Sequence, residues 1–309
     1  FPKKMNRYFK SLSKPIDLVH IIDHSNAPYF SVIKKLSPAK RIITCHDLIA
    51  VQTSLGEFSL APKTSRSGQQ LQKWILNSLK NAHHFACDSN QTRKTLNRIH
   101  HGSEPNSSVV HLGTDSILDS VKGETLALPF DPLRGNYILH VGSGAWYKNR
   151  GAIFKSFKHV CEKLSRKDMK LLLVGPEPQK EELDASSHNW TRVNKDNIYN
   201  INNISENSLQ VLYKYSNVLI FPSHVEGFGW PPMEAAHHGC PVVTSKTGAI
   251  FDILGDYCQY IDPNDQDSIN QALVNVLCSK PRKKHCVSLP NYNHCRQEYL
   301  NIYSKLLEE

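Results

Sequence analysis

Short apolar runs alternate with longer segments of helical periodicity along most of the chain. Runs rich in β-branched residues, such as IDLVHIID (16–23) and RIITCHDL (41–48), have the length and composition of buried strands. The segment 67–82 instead repeats its apolar residues at the three- and four-residue spacing of an amphipathic helix. Because strands that alternate with helices are typical of βαβ units, the pattern predicts parallel sheets covered by helices.

The same two periodicities recur to the end of the chain. Further strands are predicted at 83–89, 107–115, 137–142, 169–175, 197–202, 217–223 and 241–245. Further helices are predicted at 89–99 with Ser89 as the N-cap, near 150–164, at 205–216, from Pro231 onward and at 293–309. The chain is therefore expected to be α/β throughout.

The periodicity fails between about 116 and 136, where ALPFDPLRGN contributes two prolines and a glycine. A chain of 309 residues is longer than one average domain, so this break is the natural place for an interdomain linker. We predict an N-terminal domain at 1–134 and a C-terminal domain at 135–309, the latter closed by the last helix. In open α/β sheets, ligands bind beyond the carboxyl ends of the strands, which favours a site between the two domains.

Composition adds a basic charge balance. The formal net charge is +9, with clusters at Lys3–Lys4, Lys34–Lys35 and Arg282–Lys284. Such a balance favours anionic partners such as nucleotides or phospholipid head groups, although a solvated basic face explains the clusters equally well. No motif that combines basic and aromatic residues indicates nucleic-acid binding.

Eight cysteines are scattered without paired spacing, several of them inside apolar strands, which is typical of buried free thiols in a reducing compartment. The pairs His285–Cys286 and His294–Cys295 lack the Cys-x2-Cys spacing of a structural zinc site, so no metal site is predicted. No apolar run approaches the roughly 20 residues that a membrane-spanning helix requires.

The most informative stretch is FPSHVEGFGWPPMEAAHHGCPVVTS (221–245). Two carboxylates, Glu226 and Glu234, flank a bare Gly-Phe-Gly loop that directly follows a predicted strand. Pro231 or Pro232 suits the first helical turn, so the N-terminus of the helix would present unpaired N–H groups to a diphosphate. We place Glu234 in that first turn. Since a carboxylate accepts two hydrogen bonds from neighbouring hydroxyls, one glutamate could bind a sugar and the other a ribose.

This stretch closely resembles the Glu-x7-Glu signature of the group 1 (family four) retaining glycosyltransferases. YILHVGSGAWYKNRGAIFKSF, LLLVGPE and DYCQYIDPNDQDSI resemble that family's neighbouring segments in the same order, so that the resemblance covers 135–305. It implies a GT-B fold, in which two doubly wound Rossmann-like domains face each other across a cleft. It also implies transfer of a sugar from a nucleotide diphosphate sugar with retention at the anomeric carbon.

The resemblance assigns roles in the second half of the chain. Glu226 is expected near the hydroxyls of the donor sugar, and Glu234 on the ribose. Gly227, Phe228 and Gly229 match the loop whose backbone meets the sugar and the phosphates.

Lys148 matches the family lysine that neutralises the diphosphate, which agrees with the need for a cation beside a departing nucleoside diphosphate. Asn149 follows it in the same donor-binding turn. Many relatives carry an arginine where this chain has Ser143, which is among the donor-binding candidates. This departure leaves Lys148 as the main cation, with Arg150 as a candidate to substitute for the missing arginine.

In the first half, LVHIIDHSNAPY and RIITCHDLIA resemble the acceptor-side strands of the family. His24 is a catalytic candidate, and His46 and Asp47 are candidates on the acceptor side, because all three follow predicted strands. A histidine in a chain with 16 of them is more often structural. No Gly-rich loop appears in 1–16, so the N-terminal domain is expected to be abbreviated or incomplete at its start.

The sequence therefore predicts a cytoplasmic, metal-independent glycosyltransferase that uses a nucleotide sugar as co-substrate and needs no cofactor. Its acceptor would be a glycan, a lipid-linked sugar or another hydroxyl, reached in part by peripheral contact with the inner face of the membrane. Two alternatives stay open. One is a non-catalytic protein that binds sugar nucleotides or glycans, and the other is an epimerase or phosphorylase with the same fold.

Overall fold

The structure is a computed structural model that describes residues 4, 7–8, 11–100, 104–114, 128–180, 182, 196–279 and 287–308. Part of the predicted linker (115–127), Lys3, Arg282–Lys284 and the pair His285–Cys286 lie outside the described residues. The chain divides into two compact units, Phe1–Gly113 with Pro290–Glu309, and Thr114–Leu289.

The first unit is built on a four-stranded parallel sheet whose strands follow one another in chain order. The strands are β1 (Leu18–Ile21), β2 (Lys40–Cys45), β3 (His84–Cys87) and β4 (Ser107–Val109). The helices are a 3-10 turn (His24–Tyr29), α1 (Phe30–Leu36), α2 (Ile49–Ser54), α3 (Arg66–Leu79) and α4 (Asn90–Ile99). The predicted cap of α4 is confirmed, because the Thr92 N–H donates to Ser89 Oγ over 3.0 Å.

Alternation along the strands gives this sheet two apolar faces. Ile43 and Phe85 pack with Phe30 and Leu79 on one face. The neighbouring residues Ile42 and Ala86 point to the opposite face. Both faces therefore need a covering layer of helices.

The second face is covered by the C-terminal helix, Tyr292–Glu308. Its buried residues Cys295, Ile302 and Leu306 pack with Ile42 and Ala86. The prediction that this helix belongs to the C-terminal domain 135–309 is therefore wrong. The helix packs in the first unit because it fills the apolar face that Ile42 and Ala86 leave open.

Polar contacts also hold this helix on the sheet. The His20 imidazole bridges Tyr303 Oη at 2.7 Å and Thr44 Oγ1 at 2.8 Å, and Tyr299 Oη lies 2.9 Å from Thr44 Oγ1. Burial lowers the pKa of His20 to about 4, so the imidazole is neutral at pH 7 and can donate through one nitrogen and accept through the other.

The second unit contains a six-stranded parallel sheet in the order β10-β9-β8-β5-β6-β7. The strands are β5 (Tyr137–Val141), β6 (Lys170–Val174), β7 (Ile198–Ile201), β8 (Val218–Phe221), β9 (Val242–Ser245) and β10 (Gln259–Ile261). The helices are α5 (Arg150–Lys163), α6 (Glu206–Tyr215), α7 (Trp230–His237), α8 (Ile250–Leu254) and α9 (Gln266–Cys278). The C-terminal helix is α10.

The strand order reverses between β5 and β8, which are hydrogen-bonded neighbours at the centre of this sheet. From β5 the chain proceeds to β6 and β7 on one side, and then returns through β8 to β9 and β10 on the other. Such a reversal opens a crevice beyond the carboxyl ends of the two central strands. The loops after β5 and β8 lie at this crevice, and they carry most of the predicted donor-site residues.

No helix among the described residues is long and apolar enough to cross a bilayer. Within the same ranges no group of three or more His, Cys, Asp or Glu side chains is placed to hold a metal ion. The cysteines that the structure describes are free, and all of them except Cys278 are buried.

Candidate functional site

The loops that follow β5 and β8 contact each other at the switch point of the second sheet, the place where its strand order reverses. The His224 N–H, in the loop after β8, donates to the carbonyl of Tyr147, in the loop after β5, over 2.8 Å. The Trp146 ring stacks on the His224 ring, with 6.2 Å between centroids and 20° between planes. These contacts set the two loops side by side and bring their charged residues together.

The centre of the site is an ion pair between these loops. Lys148 Nζ donates to Glu226 Oε1 over 2.7 Å, and the two residues are only 9% and 8% exposed. The ammonium group also lies 4.7 Å from the centre of the Phe221 ring. Each charge offsets the desolvation of the other, so removal of either one would leave the other charge buried without this ion pair.

The turn after β9 holds the backbone of Glu226 and of Phe228 through hydrogen bonds. The Glu226 N–H donates to Thr247 Oγ1 over 2.9 Å, and the Ala249 N–H donates to the Phe228 carbonyl over 3.1 Å. Gly248 has φ +62°, and a Cβ there would lie 2.8 Å from the carbonyl oxygen of Gly227. Sequence reasoning missed Thr247 and Gly248, although both follow a strand at the same edge of the sheet.

Helix α7 begins one residue before the predicted proline. Gly229 takes φ +97° ahead of Trp230, and Pro231 occupies the first turn, as predicted. A Cβ on Gly229 would lie 2.5 Å from Ile250 Cγ1, so the position requires glycine. The Phe228 side chain is buried and packs on the Trp230 ring, with centroids 5.0 Å apart. Phe228 therefore anchors the loop through its side chain, and only its backbone can meet a ligand.

The prediction that Glu234 lies in the first turn of this helix is wrong, because Glu234 is the fifth residue of α7. Its Oε2 accepts a hydrogen bond from the hydroxyl of Tyr213 over 2.6 Å. Burial raises the pKa of the Glu234 carboxyl, and burial also raises the pKa of the Tyr213 phenol, which keeps the phenol protonated as a donor. Glu234 is thus held by α6, and Tyr213 is a site residue that sequence reasoning missed.

The remaining donor-side residues surround Lys148. Ser143 is exposed, and its Oγ lies 3.4 Å from the Ala145 nitrogen. Asn149 takes a left-handed conformation, with φ 53°, and its side chain donates to the Pro263 carbonyl over 2.9 Å. The buried Arg150 guanidinium donates to the Pro176 carbonyl, in the loop after β6, over 2.9 Å. Its Nε lies 3.6 Å from Glu182 Oε1. Lys148 is therefore the cation that faces Glu226.

A second cluster lies at the carboxyl ends of β1, β2 and β3 in the first unit. His46 Nδ1 is 2.7 Å from Asp88 Oδ2, and its Nε2 is 2.8 Å from the Ile22 carbonyl oxygen. Burial raises the pKa of Asp88, but beside the His46 ring we treat Asp88 as a carboxylate that only accepts, as the Ile22 carbonyl does. Both ring nitrogens then carry protons and His46 is an imidazolium. The hydrogen bond to Asp88 raises the pKa of His46 to about 9. Asp88 is a site residue that the sequence analysis did not identify.

His24 and Asp47 lie in the same cluster. Burial lowers the pKa of His24, and the carboxylates of Asp47 and Asp23 oppose that shift. Asp47 Oδ1 accepts the Ile49 N–H over 2.9 Å and so supports the start of α2. The structure therefore brings His24, His46 and Asp47 together, with a neutral imidazole, an imidazolium and a carboxylate in one group.

Asp88→Asn is expected to lower the pKa of His46 from about 9 toward the ordinary value near 6.5, because the carboxylate that stabilises the imidazolium is lost. A histidine whose pKa is raised in the folded state contributes stability below the unfolded pKa, and that stability is lost as the pH rises through the folded pKa. Wild type should thus be more stable than the variant near pH 6, with a difference that disappears above about pH 9.

The measurement is an NMR titration of the imidazole signals, in which a His46→Gln variant identifies the resonance. Thermal melting of wild type and Asp88→Asn over the same pH range provides the stability curve. A wild-type His46 signal that titrates near the ordinary histidine pKa would refute the charged pair.

The two parallel α/β units, one of which has a buried Lys–Glu pair where its strand order reverses, agree with the fold class that the sequence predicts. The family model "Glycosyl transferases group 1" matches residues 130–289, just over half of the chain. The chain belongs to this family of glycosyltransferases.

Among curated proteins, the O-antigen chain mannosyltransferase RfbU of Salmonella typhimurium is 34% identical over 82 residues, which are 26% of this chain and 23% of that protein. The sucrose-phosphate synthase of Spinacia oleracea is 42% identical over 69 residues, 22% of this chain and 6% of that protein. The aligned segment thus spans less than a quarter of either relative.

Solved structures resemble the whole chain in fold. Sucrose-phosphate synthase from Thermosynechococcus elongatus matches with a TM-score of 0.73 at 18% identity, over 100% of this chain and 77% of that chain. An alpha,alpha-trehalose-phosphate synthase (UDP-forming) from Burkholderia xenovorans, in complex with glucose-6-phosphate, matches with a TM-score of 0.72 at 11% identity over the same fractions. The predicted GT-B fold is confirmed.

Proposed function

We propose that this chain is a retaining glycosyltransferase that moves a sugar from a nucleotide diphosphate sugar to a hydroxyl acceptor. The observation that carries the proposal is the buried pair of Lys148 and Glu226 at the switch point of the second sheet, 2.7 Å apart. This is the place where a doubly wound sheet binds its ligand. A cation and a carboxylate at one point suit a substrate that combines a diphosphate with vicinal hydroxyls.

In this proposal the Lys148 ammonium has three N–H donors and directs one of them to Glu226. The others neutralise the charge that grows on the departing diphosphate. The start of α7 adds the positive end of the helix dipole and the N–H of Trp230, whereas the two prolines that follow it carry no N–H. Glu226 orients the donor sugar through its hydroxyls, and Glu234 accepts hydrogen bonds from the ribose.

The acceptor hydroxyl attacks from the face that the diphosphate leaves. Because attack and departure take place on the same face, the anomeric configuration is retained. The departing phosphate oxygen takes the proton of that hydroxyl, so no separate protein base is needed. No metal ion or other cofactor takes part in this mechanism. His24, His46 and Asp47 are assigned to the acceptor side, where imidazoles and carboxylates can bind sugar hydroxyls.

The proposed process is synthesis of a cell-surface polysaccharide or glycoconjugate in the cytoplasm, at the inner face of the membrane. Similarity to O-antigen chain mannosyltransferases from two bacteria supports this setting. The acceptor would be a glycan or a lipid-linked sugar, and nucleic acid is not a proposed partner.

The test begins with donor binding. A ligand that binds the native state raises the melting temperature, so UDP-, GDP- and ADP-sugars are compared by thermal shift. One nucleotide class should stabilise wild type, and incubation of that donor with glycan and lipid-linked acceptors should yield a product of retained configuration. Stabilisation without product across the acceptor panel would favour a binding protein, and donor conversion without acceptor would favour an epimerase.

Tyr213→Phe is expected to weaken binding of the stabilising nucleotide roughly three- to tenfold, since it removes one hydrogen bond to the Glu234 carboxylate. Glu234→Ala should weaken it more. The matched comparison is the 2′,3′-dideoxy nucleotide, for which Tyr213→Phe and wild type should bind alike by calorimetry. An equal loss for both nucleotides would assign Tyr213 to general packing and not to the ribose site.

A further inference from the structure

Helix α3 of the first unit carries an exposed apolar strip. Trp74 is 57% exposed and Leu71 is 49% exposed, although both belong to a helix that buries Ile75 and Leu79 in the core. Residues three apart are neighbours on a helix surface, so the Leu71 and Trp74 side chains adjoin each other. Large apolar side chains that stand together outside the core mark an interaction surface more often than single ones do.

The same exposed face is basic. Arg66 and Lys73 lie seven residues apart on one side of α3, Lys63 and Lys80 flank the helix, and all four are exposed. Residues 58–80 contain no aspartate or glutamate. We define Leu71, Trp74 and these four cations as the α3 surface. The midpoint of its apolar strip and the midpoint of Arg66 and Lys73 are about 120° apart around the helix axis, so both can face one planar partner.

The position of α3 connects this surface to the acceptor-side cluster. The helix packs against the 3-10 turn His24–Tyr29, which carries His24. A partner bound to the α3 surface would thus lie on a helix directly beside the residues assigned to the acceptor.

We propose that the α3 surface docks the first unit onto an anionic lipid bilayer, with Trp74 and Leu71 in the interfacial region and the four cations on lipid phosphates. Tryptophan is favoured at the membrane interface, where one part of the ring is apolar and the N–H stays hydrated. Clustered lysine and arginine side chains are attracted to the negative surface of such a bilayer. Nucleic acid would pair with the cations but would leave the apolar strip exposed to water. A second copy of the chain that bound through the same surface would bring the cations of the two copies together, and these repel each other.

The test is flotation of the purified chain with vesicles of phosphatidylcholine alone or of phosphatidylcholine with phosphatidylglycerol. Wild type should float with the anionic vesicles only. Leu71→Ala with Trp74→Ala should lower the partition coefficient by about tenfold, because binding scales with the buried apolar area. Arg66→Gln and Lys73→Gln should each lower it about fivefold, and this effect should weaken with salt.

Two matched controls lie in the second unit. Phe251→Ala removes an apolar side chain of similar exposure, and Lys167→Gln removes an exposed cation, and both variants should float like wild type. The proposal would be overturned if the α3 variants floated as well as wild type. It would also be overturned if wild type bound neutral vesicles as well as anionic ones. A concentration-dependent dimer that the Trp74→Ala change dissolves, or tight binding to duplex DNA in place of vesicles, would also overturn it.

The result is independent of the proposed transfer reaction, because flotation requires neither donor nor acceptor. Nucleotide-induced thermal shifts of the α3 variants should match those of wild type. If the α3 variants lose flotation but still bind nucleotide, the proposed role of the α3 surface is supported. If wild type floats but binds no nucleotide, membrane docking is still supported and the proposed transfer function is contradicted.

Discussion

Lys148→Ala should reduce sugar transfer at saturating donor by about a hundredfold or more, since it removes the cation that stabilises charge on the leaving diphosphate. The same change should lower the free energy of unfolding by about 3–5 kcal/mol, the cost of leaving a buried carboxylate without its partner. Both effects have one origin, because Lys148 and Glu226 are each less than a tenth exposed and share a hydrogen bond of 2.7 Å.

The double change Lys148→Met with Glu226→Leu separates the two effects. Apolar residues of similar volume can replace a buried ion pair at little cost, so the double variant should regain most of the stability that Lys148→Ala loses. It should not regain transfer. Urea unfolding and a steady-state assay measure the two quantities on the same preparations.

Lys158→Ala is the matched control, because Lys158 pairs with Glu162 along α5 at 4.0 Å and the Glu162 side chain is 59% exposed. A surface pair of this kind contributes roughly 0–1 kcal/mol, and its loss should leave transfer unchanged. If Lys148→Ala behaved like Lys158→Ala in both assays, the buried pair would have no role in catalysis or in folding.

The strands and the loops of the site could be predicted from the sequence, because both depend on local patterns. Apolar runs at 137–142 and 217–223 correspond to β5 and β8. The position of ligands beyond strand ends, together with the resemblance to the family, predicted a ligand site at the loops that carry Lys148 and Glu226. Their pairing could not be predicted in this way. The two residues are 78 positions apart and meet because β5 and β8 are neighbours, an order that no single segment encodes.

The same limit explains the other differences. The periodicity of 293–309 predicts an amphipathic helix, but many exposed apolar faces could accept it, and Ile42 and Ala86 in the first sheet do so. Asp88 and Tyr213 are likewise partners of residues far away in the chain. Asp88 follows a strand, which is a usable signal, whereas Tyr213 lies in the last turn of a helix and resembles any core tyrosine.

The close packing of the loops after β5 and β6 depends on a single glycine. Gly175 has φ 141°, a conformation that side chains rarely adopt, and its N–H donates to the Ile201 carbonyl over 2.9 Å. A Cβ there would overlap the carbonyl oxygen of Gly142, a backbone atom of the loop that leads to Lys148. Gly142 is held in turn, because its N–H donates to the Val174 carbonyl over 3.0 Å.

Gly175→Ala should therefore lower the free energy of unfolding by about 3 kcal/mol or more, since it adds both backbone strain and a clash with main-chain atoms. Transfer should fall with it, because the displaced loop positions Lys148. Gly151→Ala is the control: a methyl group on Gly151, in α5, would meet no atom within 4 Å, so alanine there should stabilise by up to about 1 kcal/mol. Urea unfolding of both variants measures the contrast, and equal midpoints would show that the β5 and β6 loops can separate without cost.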